Sequence, residues 1–285
     1  MPQANGTSRT RDPVPGVFTY VVNDGRRPVA RNNEQGRIDY ENVILEEHEV
    51  PIHNARPNQT SFSLEQNGFQ LLKHVTAVSD FRDETQLNTV YHPEMEALIK
   101  SVTGAARVHV FDHTLRTGDE GSEDASWMRE TVNHVHNDYT DRSGPQRVRD
   151  LFPDEAEELL QHRFAVIQVW RGIRSPVEKS PLAMCDAGSI STEDLIVMER
   201  SRPAGPGSTK RVGELYHLSF NADHRWYYFP NMTSDEVLIF KTFDSDLGNS
   251  ARFTAHAAFE DPTCRPDAPE RVSIDVRAFA FFGSP

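Results

Sequence analysis

The side chains with most capacity for chemistry here are histidines and acids, 12 and 43 of 285 residues. His136-Asn137-Asp138 sets an imidazole and a carboxylate two positions apart, so on an extended strand both face the same way and can share a cation. The spacing alone is weak, because chance supplies about two His-x-acid triplets at these frequencies and two are present. In the other, His92-Pro93-Glu94, the acid is explained by the positive end of a helix dipole. A third ligand must come from far along the chain. His256 lies 120 residues later, in the strand-like run Ala251 to His256, with His217 and His224 as rivals. Two His and one Asp on one side of a metal leave three positions open, the facial arrangement of non-haem Fe(II) oxygenases, whereas zinc is more often held in a closed shell.

A second constellation follows. Arg271 and Arg277 are six residues apart and share one face of the final strand. A buried guanidinium needs an anion, and its planar fork matches a carboxylate; the hydroxyl of Ser273 adds a hydrogen bond, as the distal end of a dicarboxylic cosubstrate requires. The alternative for each arginine is an ion pair with one of the 43 acids. Trp170, Arg171 and Tyr216 are candidate substrate contacts, Arg171 because a carboxylate substrate needs a cation in an acidic protein. His109, Asp112 and His113 diverge on a strand and are read as structural.

These groups need a scaffold. Val17 to Val22 reads as a strand, and the stretch to about Thr60 as a wrapping segment without sustained periodicity. Pro93, Glu94 and Glu96, followed by Met95, Leu98, Ile99 and Val102 at helical spacing and then Gly104, predict an amphipathic helix. A second helix is expected from Pro153 to just before Phe164. Strands are expected at 107–111, 164–170, 214–220, 226–229, 237–243, 251–259 and 272–282, the last with the alternation of a half-buried strand. Helices first and short strands later give an α+β class built on a sandwich or barrel.

Composition narrows the function. No apolar run is long enough to span a membrane, and mean hydropathy is −0.60. A net charge of −13 with no Lys/Arg run longer than two disfavours nucleic acid. Two cysteines point to a reducing, cytoplasmic setting rather than a disulfide scaffold. Residues 1–16 read as a disordered tail and 17–285 as one domain, with 17–105 wrapping and helical and 106–285 forming the core. A homodimer is left open.

The runs Asn133-His134-Val135-His136-Asn137-Asp138, Val169-Trp170-Arg171, Ser180 to Asp186, Asn221 to Tyr228 and Phe253 to Pro262 resemble the fungal hydroxylase/desaturase family over roughly residues 60 to 282. The family is one of iron(II) and 2-oxoglutarate dependent oxygenases on a double-stranded β-helix, a cupin-like jelly roll with flanking helices, acting in secondary metabolism. By position the resemblance implies His136, Asp138 and His256 as iron ligands, Arg271 and Ser273 as holders of the cosubstrate's distal carboxylate, and Arg277 pointing inward behind them. Gln168 stands where the family pattern has Asn, and Gly172 where it has Pro. The implied activity uses Fe(II), 2-oxoglutarate and O2 to oxidise an unactivated C–H bond of a small, carboxylate-bearing metabolite or amino acid, by hydroxylation, desaturation or ring closure, releasing succinate and CO2. The competing readings are an accessory subunit of the same fold and a cupin-type metal-dependent hydrolase or isomerase.

Overall fold

The structure, a computed structural model, describes residues 12–32, 38–117, 133–202, 211–248 and 251–283. In chain order the early strands are β1 (Val14–Val21), β2 (Val29–Asn32), β3 (Ile38–Glu41), β4 (Leu45–Asn54), β5 (Phe69–Lys73), β6 (Arg107–Thr117) and β7 (His136–Asn137). They are followed by β8 (Phe164–Gly172), β9 (Leu182–Cys185), β10 (Leu195–Arg202), β11 (Arg211–Leu218), β12 (Trp226–Tyr228), β13 (Glu236–Asp244), β14 (His256–Ala258) and β15 (Val272–Phe281). The α-helices are α1 (Glu84–Gln86), α2 (His92–Thr103), α3 (Ser143–Leu151) and α4 (Ala156–Leu159). One sheet has ten strands in the order β1-β4-β12-β9-β14-β7-β11-β10-β2-β3, and the other five in the order β5-β13-β8-β15-β6. Together they make the expected jelly roll.

The smaller sheet shows why the site forms where it does. On β8, β13 and β15 one alternate set is apolar: Ile167 and Val169, Val237 and Ile239, Ile274, Val276 and Ala278. That set packs against Met95 and Ile99 of α2 and against Tyr91, all fully buried. Helix α2 matches its sequence signature, with Pro in the first turn and Gly104 stopping it at φ 70, where the Gly104 N–H bonds the carbonyl of Lys100. The other alternate set, Ser273, Asp275, Arg277 and Gln168, is polar and faces the larger sheet. Further along this face Phe279 and Phe281 join Phe164 and Phe243, with Val148 and Leu159 from α3 and α4, in an aromatic cluster.

Several expectations change. β15 is buried on both faces rather than one, because it lies between β8 and β6 with α2 outside and the site inside. The expected first strand is β1, and the wrapping segment after it is instead three strands, of which β4 joins β1 in extending the larger sheet beyond β12. β1 starts at Val14, inside the expected tail, and residues 1–11 lie outside the described residues. The helix expected from Pro153 shrinks to the single turn of α4, and α3 just before it was not expected. The strand expected over 251–259 is ordered into the ladder only at His256–Ala258.

Candidate active site

β7 and β14 are short strands of the larger sheet, and their only register pair sets His136 directly opposite His256. Opposed residues of an antiparallel pair share a face, and the two rings are 4.5 Å apart between centroids. Their backs are fixed. The Nδ1 of His136 lies 2.8 Å from the His134 carbonyl and that of His256 3.2 Å from the Thr254 carbonyl. A carbonyl only accepts, so each Nδ1 carries the proton and each Nε2 offers a lone pair to a metal. Asp138 follows β7 directly, with Oδ1 3.6 Å from His136 Nε2. One ligand atom from each of the three residues lies within 4.8 Å of the others.

Asn137, between His136 and Asp138, does the positioning that sequence reasoning missed. It is fully buried; its amide donates to the carbonyls of Tyr139 at 2.7 Å and Thr242 at 2.9 Å, and its oxygen accepts from Thr254 N–H at 3.2 Å. One side chain therefore ties the loop of Asp138 to the segment that enters β14.

Protonation suits a metal. Burial pushes the His136 imidazolium down to about 4, with His256 adding and Asp138 opposing. Burial lowers His256 as well. For Asp138 burial acts upward, but Arg277 and then the two histidines overcome it and hold the carboxyl well below the usual range. At neutral pH the three groups are two neutral imidazoles and one carboxylate, the protonation state that ligation requires.

The facing wall belongs to the smaller sheet and bounds, with the histidines, a cavity. Arg277 has little capacity left for a ligand, which corrects its expected role at the cosubstrate. Its Nε donates to Asp138 Oδ2 at 3.3 Å, its NH1 to Asp112 at 3.2 Å and Thr114 at 3.1 Å, and its NH2 pairs with Asp275 at 2.9 Å. Asp275 also receives Arg116 Nε at 3.0 Å. Arg271 differs. It is 3% exposed, donates to the Ser180 carbonyl and sits 5.6 Å from the Trp170 ring centroid. Its Nε is buried without a hydrogen-bond partner, and so is the Oγ of Ser273 on the same face of β15. Burial, and then the charge of Arg116, bring Arg271 down to about 9. A buried cation under strain beside an orphaned hydroxyl is what a carboxylate would relieve, so 2-oxoglutarate fits these residues.

The substrate candidates divide. Trp170 lines the cavity. Arg171 does not: strand alternation turns it to the opposite face, where Nε donates to Tyr91 Oη at 3.1 Å and NH1 to the His74 carbonyl at 2.9 Å. Tyr216 packs on Phe253 at 5.0 Å between centroids and turns its hydroxyl to Asp141, 3.3 Å away, outside the cavity lining. His217 neighbours His136 with 6.2 Å between ring centroids but is outside the cluster of His136, Asp138 and His256. His224 pairs with Asp194 at 3.1 Å, away from the site. Gln168, Arg116 and Asp275 line the cavity and were not singled out as site residues. Asp275 was readable from its place between Arg271 and Arg277 in the alternating run, and Gln168, noted only as a departure from the family pattern, from its place two residues before Trp170; Arg116 had no local signal of that kind.

A family model described as oxidoreductase/YMDC permease-like domain matches residues 17–281. The alpha-ketoglutarate-dependent dioxygenase phiK of a fungal strain is 32% identical, over 92% of this chain and 94% of its own length. The Fe(II)/2-oxoglutarate-dependent dioxygenase nvfI of Aspergillus novofumigatus is 35% identical, over 83% and 84%. This chain belongs to the fungal Fe(II)/2-oxoglutarate-dependent dioxygenases. The hydroxylase/desaturase efuI of Hormonema carpetanum, 31% identical over 82% and 83%, is a further relative of the oxygenase. Among solved structures the endoperoxidase NvfI superposes with a TM-score of 0.83 at 32% identity, covering 95% of this chain and 98% of that one. The oxygenase is thus an oxidoreductase of secondary metabolism that uses iron, 2-oxoglutarate and O2 on a small molecule. Among the described residues no helix is long and apolar enough to cross a membrane.

Proposed function

We propose that His136, Asp138 and His256 hold the iron of this oxygenase and that Arg271 with Ser273 holds the distal carboxylate of 2-oxoglutarate. The observation that carries the reading is the convergence of the three ligand atoms within 4.8 Å opposite two buried, unpartnered donor groups on β15. When bound, iron and 2-oxoglutarate supply oxidative decarboxylation to succinate and CO2, coupled to oxidation of a substrate C–H bond.

The chain's own residues do the rest. His134 and Thr254 carbonyls fix the imidazole tautomers, and Asn137 fixes the spacing of the three ligands. Arg271 and Ser273 orient the cosubstrate so that its other end meets the metal. Trp170, Leu182, Phe240 and Ala258 give the cavity an apolar flank that excludes water. With Arg171 turned away, the reason for expecting an acidic substrate is gone, and the substrate is read as a small metabolite presenting an unactivated C–H bond. Hydroxylation, desaturation and ring closure differ only in how that substrate is held. The charge of −13 supports a small molecule over nucleic acid, and the free thiols of Cys185 and Cys264 support the cytoplasm.

The test is an anaerobic Fe(II) titration with 2-oxoglutarate, following the visible metal-to-ligand charge-transfer band. A band in the wild type that is lost in His256→Ala supports the assignment. Bound metal without a band in the wild type overturns the assignment of these residues.

A further inference from the structure

The two oxygens of Asp138 have different surroundings. Oδ1 faces His136 Nε2 at 3.6 Å. Oδ2 accepts from two side chains of the opposite sheet, the Nε2 of Gln168 and the Nε of Arg277 at 3.3 Å. These donors come from neighbouring strands, where Gln168 of β8 and Arg277 of β15 are direct register partners. Neither can easily move. Gln168 is 1% exposed, and Arg277 is held by Asp275, Asp112 and Thr114.

Resting on the iron assignment above, we propose that Gln168 and Arg277 form a clamp on Asp138 Oδ2 that makes the carboxylate a one-oxygen ligand, with Gln168 as the positioning residue. The consequence is a count of coordination positions. Three protein donor atoms leave three positions of an octahedral iron site, enough for a two-point 2-oxoacid and one dioxygen. A carboxylate bound through both oxygens would occupy a fourth position and remove the place for dioxygen. Hydrogen bonds that engage Oδ2 from the opposite side oppose that swing. Their length matters as well as their chemistry: an asparagine at 168 would reach about 1.5 Å less far and would leave Oδ2 to Arg277 alone.

The alternative is that Gln168 merely satisfies a buried carboxylate, which would affect stability and nothing at the metal. Two measurements without turnover separate them: Fe(II) affinity and the anaerobic Fe(II)/2-oxoglutarate charge-transfer band, recorded for wild type, Gln168→Leu and Gln168→Asn. Co(II) in place of iron adds a third readout, since its visible absorption weakens as coordination number rises. The clamp predicts 10- to 100-fold weaker Fe(II) binding in Gln168→Leu, a displaced charge-transfer band and weaker Co(II) absorption. Gln168→Asn should show the same displacement, and both metal-free variants should keep a cooperative unfolding transition. If the Leu variant does not fold, the Asn variant decides. A band, an affinity and a Co(II) spectrum all matching wild type in a folded variant would overturn the clamp, as would weaker binding with unmoved spectra. Absence of the band in wild type would instead overturn the iron and 2-oxoglutarate assignment itself.

Discussion

Replacing Arg271 with methionine should move stability and cosubstrate binding in opposite directions. In the metal-free, cosubstrate-free protein Arg271 is a cation in a nearly dry site, with one bond to the Ser180 carbonyl and an Nε that has no partner. Its fall from 12.5 to about 9 corresponds to about 5 kcal/mol of disfavour for the charged form at about 1.4 kcal/mol per tenfold. Exchange of buried ionic groups for apolar side chains gains about 1–4 kcal/mol in other proteins, and methionine can keep the contact with Trp170. Arg271→Met should therefore unfold at a higher temperature than wild type when neither carries 2-oxoglutarate. Cosubstrate affinity should fall, because removing one partner of a buried charged pair costs about 2–5 kcal/mol, roughly 30-fold to several thousandfold.

Thermal unfolding under anaerobic conditions with Mn(II) reads both effects. At 100 times its dissociation constant 2-oxoglutarate stabilises wild type by about 2.7 kcal/mol, a rise of roughly 4–5 °C for a chain of this size. The variant should start higher and show no rise at that concentration. A variant that starts lower, or that shows the full wild-type rise, would refute the reasoning that Arg271 is a strained cation awaiting an anion.

Further outcomes follow from single contacts. Gly68→Ala should lose roughly 1–3 kcal/mol in urea unfolding, since Gly68 has φ +86 and a Cβ there would sit 2.0 Å from Thr254 Oγ1; because Thr254 orients His256, Fe(II) affinity should fall with it, and an unchanged affinity would separate the two. Arg171→Met should destabilise the fold by orphaning Tyr91 Oη and the His74 carbonyl while leaving the 2-oxoglutarate dissociation constant within about twofold of wild type, as binding titration would show. His136 titrates near 4 in the fold against 6.5 in the unfolded chain. The unfolded chain takes its proton first as pH falls, so metal-free stability is fully present above about 6.5 and drops by up to about 3 kcal/mol towards pH 4. Urea unfolding of wild type and His136→Gln at pH 7.5 and 4.5 checks the sign, with the smaller loss expected in the variant.

What the sequence alone determined rests on short-range rules. Alternation along 272–282 placed Arg271, Ser273 and Arg277 on one face, since strand geometry repeats every two residues whatever surrounds it. His136 and Asp138 were paired by the same rule, and α2 by its proline, its apolar spacing and Gly104. Only the tertiary structure decided which of these groups meet and what each meets. His256 stands opposite His136 through a ladder contact 120 residues apart, and His217, equally plausible from its local strand, falls one strand further along. Arg171 and Trp170 are neighbours in sequence, yet the sheet gives one to the helix side and the other to the cavity. Arg277 read as a cosubstrate ligand because its charge was visible and its partners were not: Asp138, Asp112 and Asp275 reach it from a loop, from β6 and from its own strand. The early strands escaped notice because their ladder partners, β12 for β4 and β10 for β2, lie far along the chain, and pairing energy at that distance leaves little trace in local periodicity.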